Sequence, residues 1–185
     1  MTDQLKIIVQ GCCKQDIKCQ EQLYKFFYPE MIKICSRYAG DADGAGIIYN
    51  DAMLKVFRHI NKYNEEGRLG GWIKTIVVNC SIDHCKKKNL FNATKSIGFE
   101  EEVFIEPEVL DKIAGKEIQQ LIEQLPKATA IVFKLFIYEG FTHKQVAAQL
   151  NISDGTSKWH MNEARKLLKE KFNSLVIKEK TLHAS

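Results

Sequence analysis

The residues of this chain best placed to do chemistry lie in the stretch 141–172, FTHKQVAAQLNISDGTSKWHMNEARKLLKEKF, and the chemistry they offer is recognition. At about 100° per residue, Trp159, Asn162 and Lys166 share one helix face, with Lys158 and Glu163 beside them. Met161, Ala164 and Leu168 form an apolar stripe on the opposite side. An indole, an amide and ammonium groups supply packing area, paired hydrogen-bonding groups and positive charge, which suits holding another molecule. Burial is the usual fate of so large an apolar ring, so a Trp on the polar face marks a surface that something else covers. The plainer alternative is a surface helix pair that happens to carry one exposed Trp.

The elements that must hold this face are written just before it. Thr142, with Gln145 three residues on, makes a capping box, and Val146, Ala147 and Leu150 give a short helix that packs on one side. Asn151 can take a left-handed turn, and Ser153 offers its hydroxyl to the first N–H groups of the next helix. Two helices joined by a tight turn, the second facing outward, are the pattern of a helix-turn-helix. Upstream, LIEQLPKATAIVFKLFIYEGFT places Pro126 in a first helical turn, Ile131, Val132, Leu135 and Phe136 on a core face, and Gly140 as a stop.

The stretch 23–88 carries three further amphipathic patterns. Leu23, Phe27, Met31, Ile34 and Tyr38 recur at helical spacing, then Ile48, Ala52 and Val56, then Trp72, Ile73, Ile76, Val77 and Cys80. Residues 40–46 and 64–71 read as the connecting loops. The fold class expected is all-α, two small helical domains joined by an acidic linker, the C-terminal one a four-helix helix-turn-helix domain. The boundaries fall at 1–88, 89–108 for the linker, 109–173, and a tail over 174–185.

With 185 residues the chain can bury one good core or two small ones, and 45% hydrophobic with 27% charged residues is ordinary for a globular protein. The formal charge of +4 is only mildly basic, but it is segregated. Lys86, Lys87 and Lys88 close the Trp-led helix, and Lys158, Arg165, Lys166, Lys169 and Lys171 stud the last one. Glu100, Glu101, Glu102, Glu106, Glu108 and Asp111 crowd the stretch between. With neither an apolar run of spanning length nor a signal-peptide pattern, the expected place is the cytoplasm, without membrane insertion. Six cysteines contain no C-x-x-C, and Cys80 and Cys85 do not share a helix face, so buried apolar thiols are expected rather than zinc or disulfides. The chain has no Gly-rich phosphate loop, H-E-x-x-H or G-x-S-x-G, so no catalytic residue, metal, cofactor or small-molecule substrate is expected.

Leu125, Pro126, Glu139, Gly140, Phe141, Thr142, Leu150, Ile152, Ser153, Gly155, Thr156, Ala164 and Arg165 together resemble the promoter-binding C-terminal domain of bacterial sigma factors of the extracytoplasmic-function (ECF) type. The first half resembles the N-terminal domain of the same family in its order of features: an Asp/Ala-rich start, an amide and acid pair before Phe57, a loop, a Trp-led helix with Asn and Asp, and a basic end. The two matches cover roughly two thirds of the chain.

The resemblance implies promoter recognition and transcription initiation on core RNA polymerase, with promoter DNA as second partner and, as is common in the family, an anti-sigma protein. It implies that Gly155, Thr156, Lys158, Trp159, Asn162 and Lys166 meet the upstream (minus-thirty-five) element as duplex. Lys158 would donate to guanine or phosphate, Asn162 pair with adenine, and Trp159 pack on thymine methyls or sugar, while Thr156 and Lys166 hold the backbone. It implies that Lys62, Tyr63, Asn64, Lys74, Asn79, Lys86 and Lys87 take the downstream (minus-ten) element as an opened strand. Asn79 could equally cap an internal polar contact, and Asp83 could pair with Lys86 or Lys87. The linker is either a solvated tether or a path through polymerase. Polymerase would be held by a helix over about 46–60, through Asn50, Asp51, Met53, Leu54, Lys55 and Phe57. Departures from the family pattern are Gly46 and Ile47 in place of acids, Leu69 for Phe, Ser157 on the buried stripe and Glu163 where a base is common. A helix-turn-helix regulator that never joins polymerase, and a helical adaptor whose Trp159 docks a protein, are the alternatives.

Overall fold

The computed structural model describes residues 3–63, 68–87 and 115–182. The expected linker and Asn64 lie outside them. Among the described residues the chain is helical with no strand: α1 (Asp3–Cys13), α2 (Ile17–Ala39), α3 (Ala42–His59), a 3-10 turn (Ile60–Lys62), α4 (Leu69–Lys87), α5 (Gly115–Glu123), α6 (Lys127–Ile137), α7 (His143–Leu150) and α8 (Asp154–Leu182). It divides into two compact units, Met1–Asn89 and Leu90–Ser185.

In the first unit, Asp16 starts α2 by accepting the Cys19 N–H at 2.9 Å, and Gly40, at φ 87°, ends it. The expected stripe of α2, Leu23, Phe27, Met31, Ile34 and Tyr38, is buried. Residues 40–46 are not all loop, because Asp41 accepts the Gly44 N–H at 2.6 Å and α3 begins at Ala42. Gly44 sits tight against its own cap and the end of α2, where a Cβ would come within 2.9 Å of Asp41 Oδ1 and 3.2 Å of Ala39 Cβ, so a glycine leaves room for the cap that starts α3. Helix α4 packs on both α2 and α3. Its buried arc is therefore wide, taking in Ile73, Val77, Val78, Cys80, Ser81, Ile82 and Cys85, and it leaves Trp72 and Ile76, expected inside, only half-buried. Helix α1, which periodicity did not mark, lies on α2 and buries Val9 and Cys12.

In the second unit α6 is the central element: Ala128 through Leu135 are all buried, and it meets α5, α7 and α8. Ile122, Leu125, Ala130, Phe133, Met161 and Ala164 form one cluster, with Phe136 and Leu168 partly buried against it. The capping box of α7 is complete: the Thr142 N–H donates to Gln145 Oε1 at 2.9 Å and the Gln145 N–H to Thr142 Oγ1 at 3.3 Å. Asn151 takes the left-handed turn at φ 56°, and Ser153 Oγ accepts the Thr156 N–H at 2.9 Å. Helix α8 then runs for 29 residues to Leu182, into the stretch expected as a tail from 174, since no Gly or Pro follows Gly155 to stop it.

Two polar pairs join the helices of this unit, one part-buried and one inside the core. His143 Nδ1 lies 3.0 Å from Ser157 Oγ, joining α7 to α8, and the His143 ring stacks on Phe136 with centroids 4.6 Å apart. His160 Nδ1 lies 3.0 Å from Thr129 Oγ1, joining α8 to α6, with His160 only 2% exposed. Burial pushes the His160 imidazole down to about 4, so it is neutral in the folded protein.

Two measurements check these assignments. Ser153→Ala should cost about 1 kcal/mol in denaturant unfolding; an unchanged midpoint would remove the cap. Because the His160 pKa is depressed below its unfolded value near 6.5, its contribution is fully present above pH 6.5 and is lost as the pH falls towards 4. Stability should therefore drop on acidification by up to roughly 1.4 kcal/mol per pH unit from this group, and His160→Gln should flatten that part of the slope.

Candidate nucleic-acid interface

Helix α8 separates its two faces cleanly. Ser157, His160, Met161 and Ala164 are buried, and Gly155, Lys158, Trp159, Asn162 and Lys166 cluster on the other side. Trp159 and Asn162 are half-buried, while Lys158 and Lys166 are exposed. The Lys158 ammonium is not idle: it pairs with Asp154 one turn back at 3.1 Å, both side chains well exposed. Such a pair is worth only a few tenths of a kcal/mol in water, so a phosphate or a guanine edge can displace it. Thr156 lies about 100° round the helix from Gly155, and its hydroxyl sits 2.8 Å from Ser153 Oγ. Its N–H and hydroxyl are thus both engaged in the cap. The Trp159 ring meets the His160 ring edge-on, centroids 4.8 Å apart and planes 68° apart.

In the first unit the residues expected to face an opened strand do not all come together. Asn79 and Lys86 share the outer face of α4 with Thr75 and Trp72, but Lys74 sits about 140° round from Asn79, on another flank. Lys87 is exposed at the helix end. Lys62 is exposed on the 3-10 turn, and the Tyr63 ring packs on Trp72 with centroids 5.6 Å apart, a half-buried aromatic pair beside the start of α4. Asp83 does not take Lys86 or Lys87 as its partner; it reaches across to Lys55 of α3 at 3.2 Å, a contact between helices that no local spacing announces.

On α3, Asn50, Asp51 and Leu54 share an exposed face, with Ile47 beside them; Ile47 and Leu54 are each 55% exposed. Asn50 is held in place, its Oδ1 accepting from the Tyr24 hydroxyl at 2.8 Å, and Tyr49 in turn donates to the Tyr24 carbonyl at 2.7 Å. Met53, expected on this surface, is 1% exposed and belongs to the core. Phe57 is half-buried on the far flank. Lys55 turns instead into a cleft of about 440 Å³ between α3 and α4, whose walls include Asp51, Leu54 and Arg58 on one side and Asp83, Lys86 and Lys87 on the other. Arg58, which sequence did not single out, is one i+4 step from Leu54, so the outward face of α3 already pointed to it.

Cys12, Cys35, Cys80 and Cys85 are buried and Cys13 and Cys19 half-buried, all as free thiols. Burial raises the Cys12 thiol to about 11 and Cys35 to about 12, which leaves both inert as nucleophiles at neutral pH. Among the described residues no group of three His, Cys, Asp or Glu could hold a metal ion, and no helix is long and apolar enough to cross a membrane.

Comparison with known proteins gives this geometry a family. Sigma-70 region 2 matches residues 23–90, from within α2 through α3 and α4, and Sigma-70, region 4 matches residues 115–168, from α5 into α8. The chain is similar to the ECF RNA polymerase sigma factor SigW of Bacillus subtilis (strain 168), with 22% identity over 88% of this chain and 93% of the relative. It is similar to the ECF RNA polymerase sigma-E factor of Escherichia coli (strain K12), with 21% identity over 95% of this chain and 97% of the relative. Among solved structures, the sigma factor RpoE in complex with the anti-sigma factor NepR from Bartonella quintana aligns with a TM-score of 0.49 at 20% identity, covering 83% of this chain and 96% of that one. With both regions in order on one chain, and relatives matched over nearly their whole length, the chain belongs to the sigma-70 family as a sigma factor of the ECF type.

Proposed function

We propose that this sigma factor, bound to core RNA polymerase, divides promoter recognition between its two units: α8 takes the upstream element as duplex, and the outer face of α4 with the residues before it takes the downstream element as a single strand. The observation that carries this is the occurrence of region 2 and region 4 together in one chain. Region 2 supports the sigma reading over a free-standing regulator or an adaptor, which would need only the helix-turn-helix. The protein acts by binding and not by catalysis, without a cofactor. Its place is the cytoplasm, where polymerase and promoter are, and an anti-sigma protein is a further partner.

On α8, Asn162 and Trp159 supply base contacts, and Lys158 becomes available once DNA displaces Asp154. Gly155, Thr156 and Lys166 set register. In the first unit, the Tyr63–Trp72 ring pair offers a surface on which an unpaired base can stack, with Lys62, Lys86 and Lys87 for phosphates and Asn79 between them. Lys74 is assigned a lesser part because it faces elsewhere. Asn50, Asp51 and Leu54 hold polymerase, with Lys55 and Phe57 at the margins of that surface.

Removing Asn162 or Lys158 should cost about 1–3 kcal/mol each and relax preference at particular upstream positions in a duplex selection. Replacing Lys86 or Lys87 should weaken binding on every sequence and lower the salt dependence by about one ion per lost contact. A premelted promoter bubble that cures the Lys86 and Lys87 defect would place them in melting. Charge reversal at Asp51 should weaken binding to core polymerase and leave duplex binding by the chain intact; equal loss of both would indicate unfolding.

A further inference from the structure

We propose that His160 is a positioning residue for promoter reading: held by Thr129, it fixes the orientation of the Trp159 indole and so sets which bases Trp159 can contact, although both Thr129 and His160 are themselves buried. The proposal rests on α8 being the duplex-facing helix. Trp159 stands half-buried on the outward side of that helix, where an indole with two free torsions would otherwise sample several poses. Its ring is met edge-on by the His160 ring, with centroids 4.8 Å and planes 68° apart, one of the preferred aromatic arrangements. His160 in turn has no freedom of its own. It is 2% exposed, and its Nδ1 lies 3.0 Å from Thr129 Oγ1. Thr129, 1% exposed, belongs to the first turn of α6, the most buried helix of the unit.

The orientation of a reading side chain is thereby referred to the core across two contacts, Thr129 to His160 and His160 to Trp159. His160 Nε2 is buried without a hydrogen-bond partner, a cost that an apolar space-filler would not carry, so a His at this position points to the bond that its Nδ1 makes with Thr129. Burial keeps this imidazole neutral, so it takes part by shape and by its hydrogen bond, and adds no charge that would attract phosphate.

The test uses the full-length chain, ¹⁵N-labelled, with the indole N–H resonance of Trp159 assigned by its loss in Trp159→Phe, together with selection of duplex upstream elements from a randomised library. Thr129→Val keeps the shape and removes the hydroxyl; Thr129→Ser restores it; His160→Phe keeps a ring that cannot bond Thr129. Thr129→Val and His160→Phe should each loosen the indole resonance and flatten preference by roughly fivefold, the equilibrium worth of one net hydrogen bond, at the positions that Trp159→Ala also flattens. Thr129→Ser should keep both properties, and binding to unrelated duplex should not change in any of the three. If Thr129→Val and His160→Phe leave resonance and preference as in the parent while Trp159→Ala flattens preference, the proposal is overturned and the reading of α8 stands. A folded Trp159→Ala with the parent's preferences would overturn both.

Discussion

One side of α8 has to be buried for the other to be offered to DNA, and in this chain that burial is made against α6. Met161 and Ala164 close on Ala130 and Phe133, and everything outward on α8 takes its direction from that contact. The interface is not purely apolar. Thr129 and His160, and beside them His143 and Ser157, place polar atoms at this interface, Ser157 being the one read in the sequence as a polar residue on the buried stripe. Each pair favours a helix position in which the hydrogen bond forms, even though His160 Nε2 stays buried without a partner, since losing the bond on Nδ1 as well would leave the whole ring unpaired. An apolar seam alone would tolerate small slides of α8; these pairs do not.

The first unit works under the same constraint with a different solution. Helix α4 has two neighbours, so it gives up most of its circumference to packing and keeps only one outer strip, with Trp72, Asn79 and Lys86 on it. The Lys55–Asp83 pair ties that helix to α3 at the cleft, which sets the surface proposed for polymerase next to the basic end proposed for the strand. The ion pair is exposed and contributes little to stability. Its consequence is geometric: it takes Lys55 and Asp83 out of the free charge of the cleft and leaves Arg58, Lys86 and Lys87 as the cations that a partner meets.

Much of this was legible in the residues. The α2 stripe, the Thr142 capping box, the left-handed Asn151 and the Ser153 cap all came from local spacing, because each depends on neighbours within one turn. What local spacing could not give were contacts between helices. Local spacing does not join His143 to Ser157, which is across a turn, and Asp83 looked free to pair along its own helix because Lys55 is far off in sequence. Trp72 and Ile76 were placed inside by periodicity, yet a helix with two neighbours buries an arc that periodicity centres wrongly. Gly44 and Gly46 read as loop, whereas both lie in α3, and a Cβ at Gly44 would crowd the capping Asp41 Oδ1 at 2.9 Å and Ala39 Cβ at 3.2 Å. The pairing of Ser157 and His160 on one stripe was the signal available: two polar residues on a buried face require partners.

The central claim, that both units act together on a promoter within polymerase, is tested most directly by in vitro transcription from a randomised promoter library with core RNA polymerase, with and without the full chain. The account predicts transcripts that appear only when the chain is present and that start from templates sharing an upstream and a downstream element at a fixed spacing. Duplex binding by the chain with no transcripts above the core enzyme alone would contradict it.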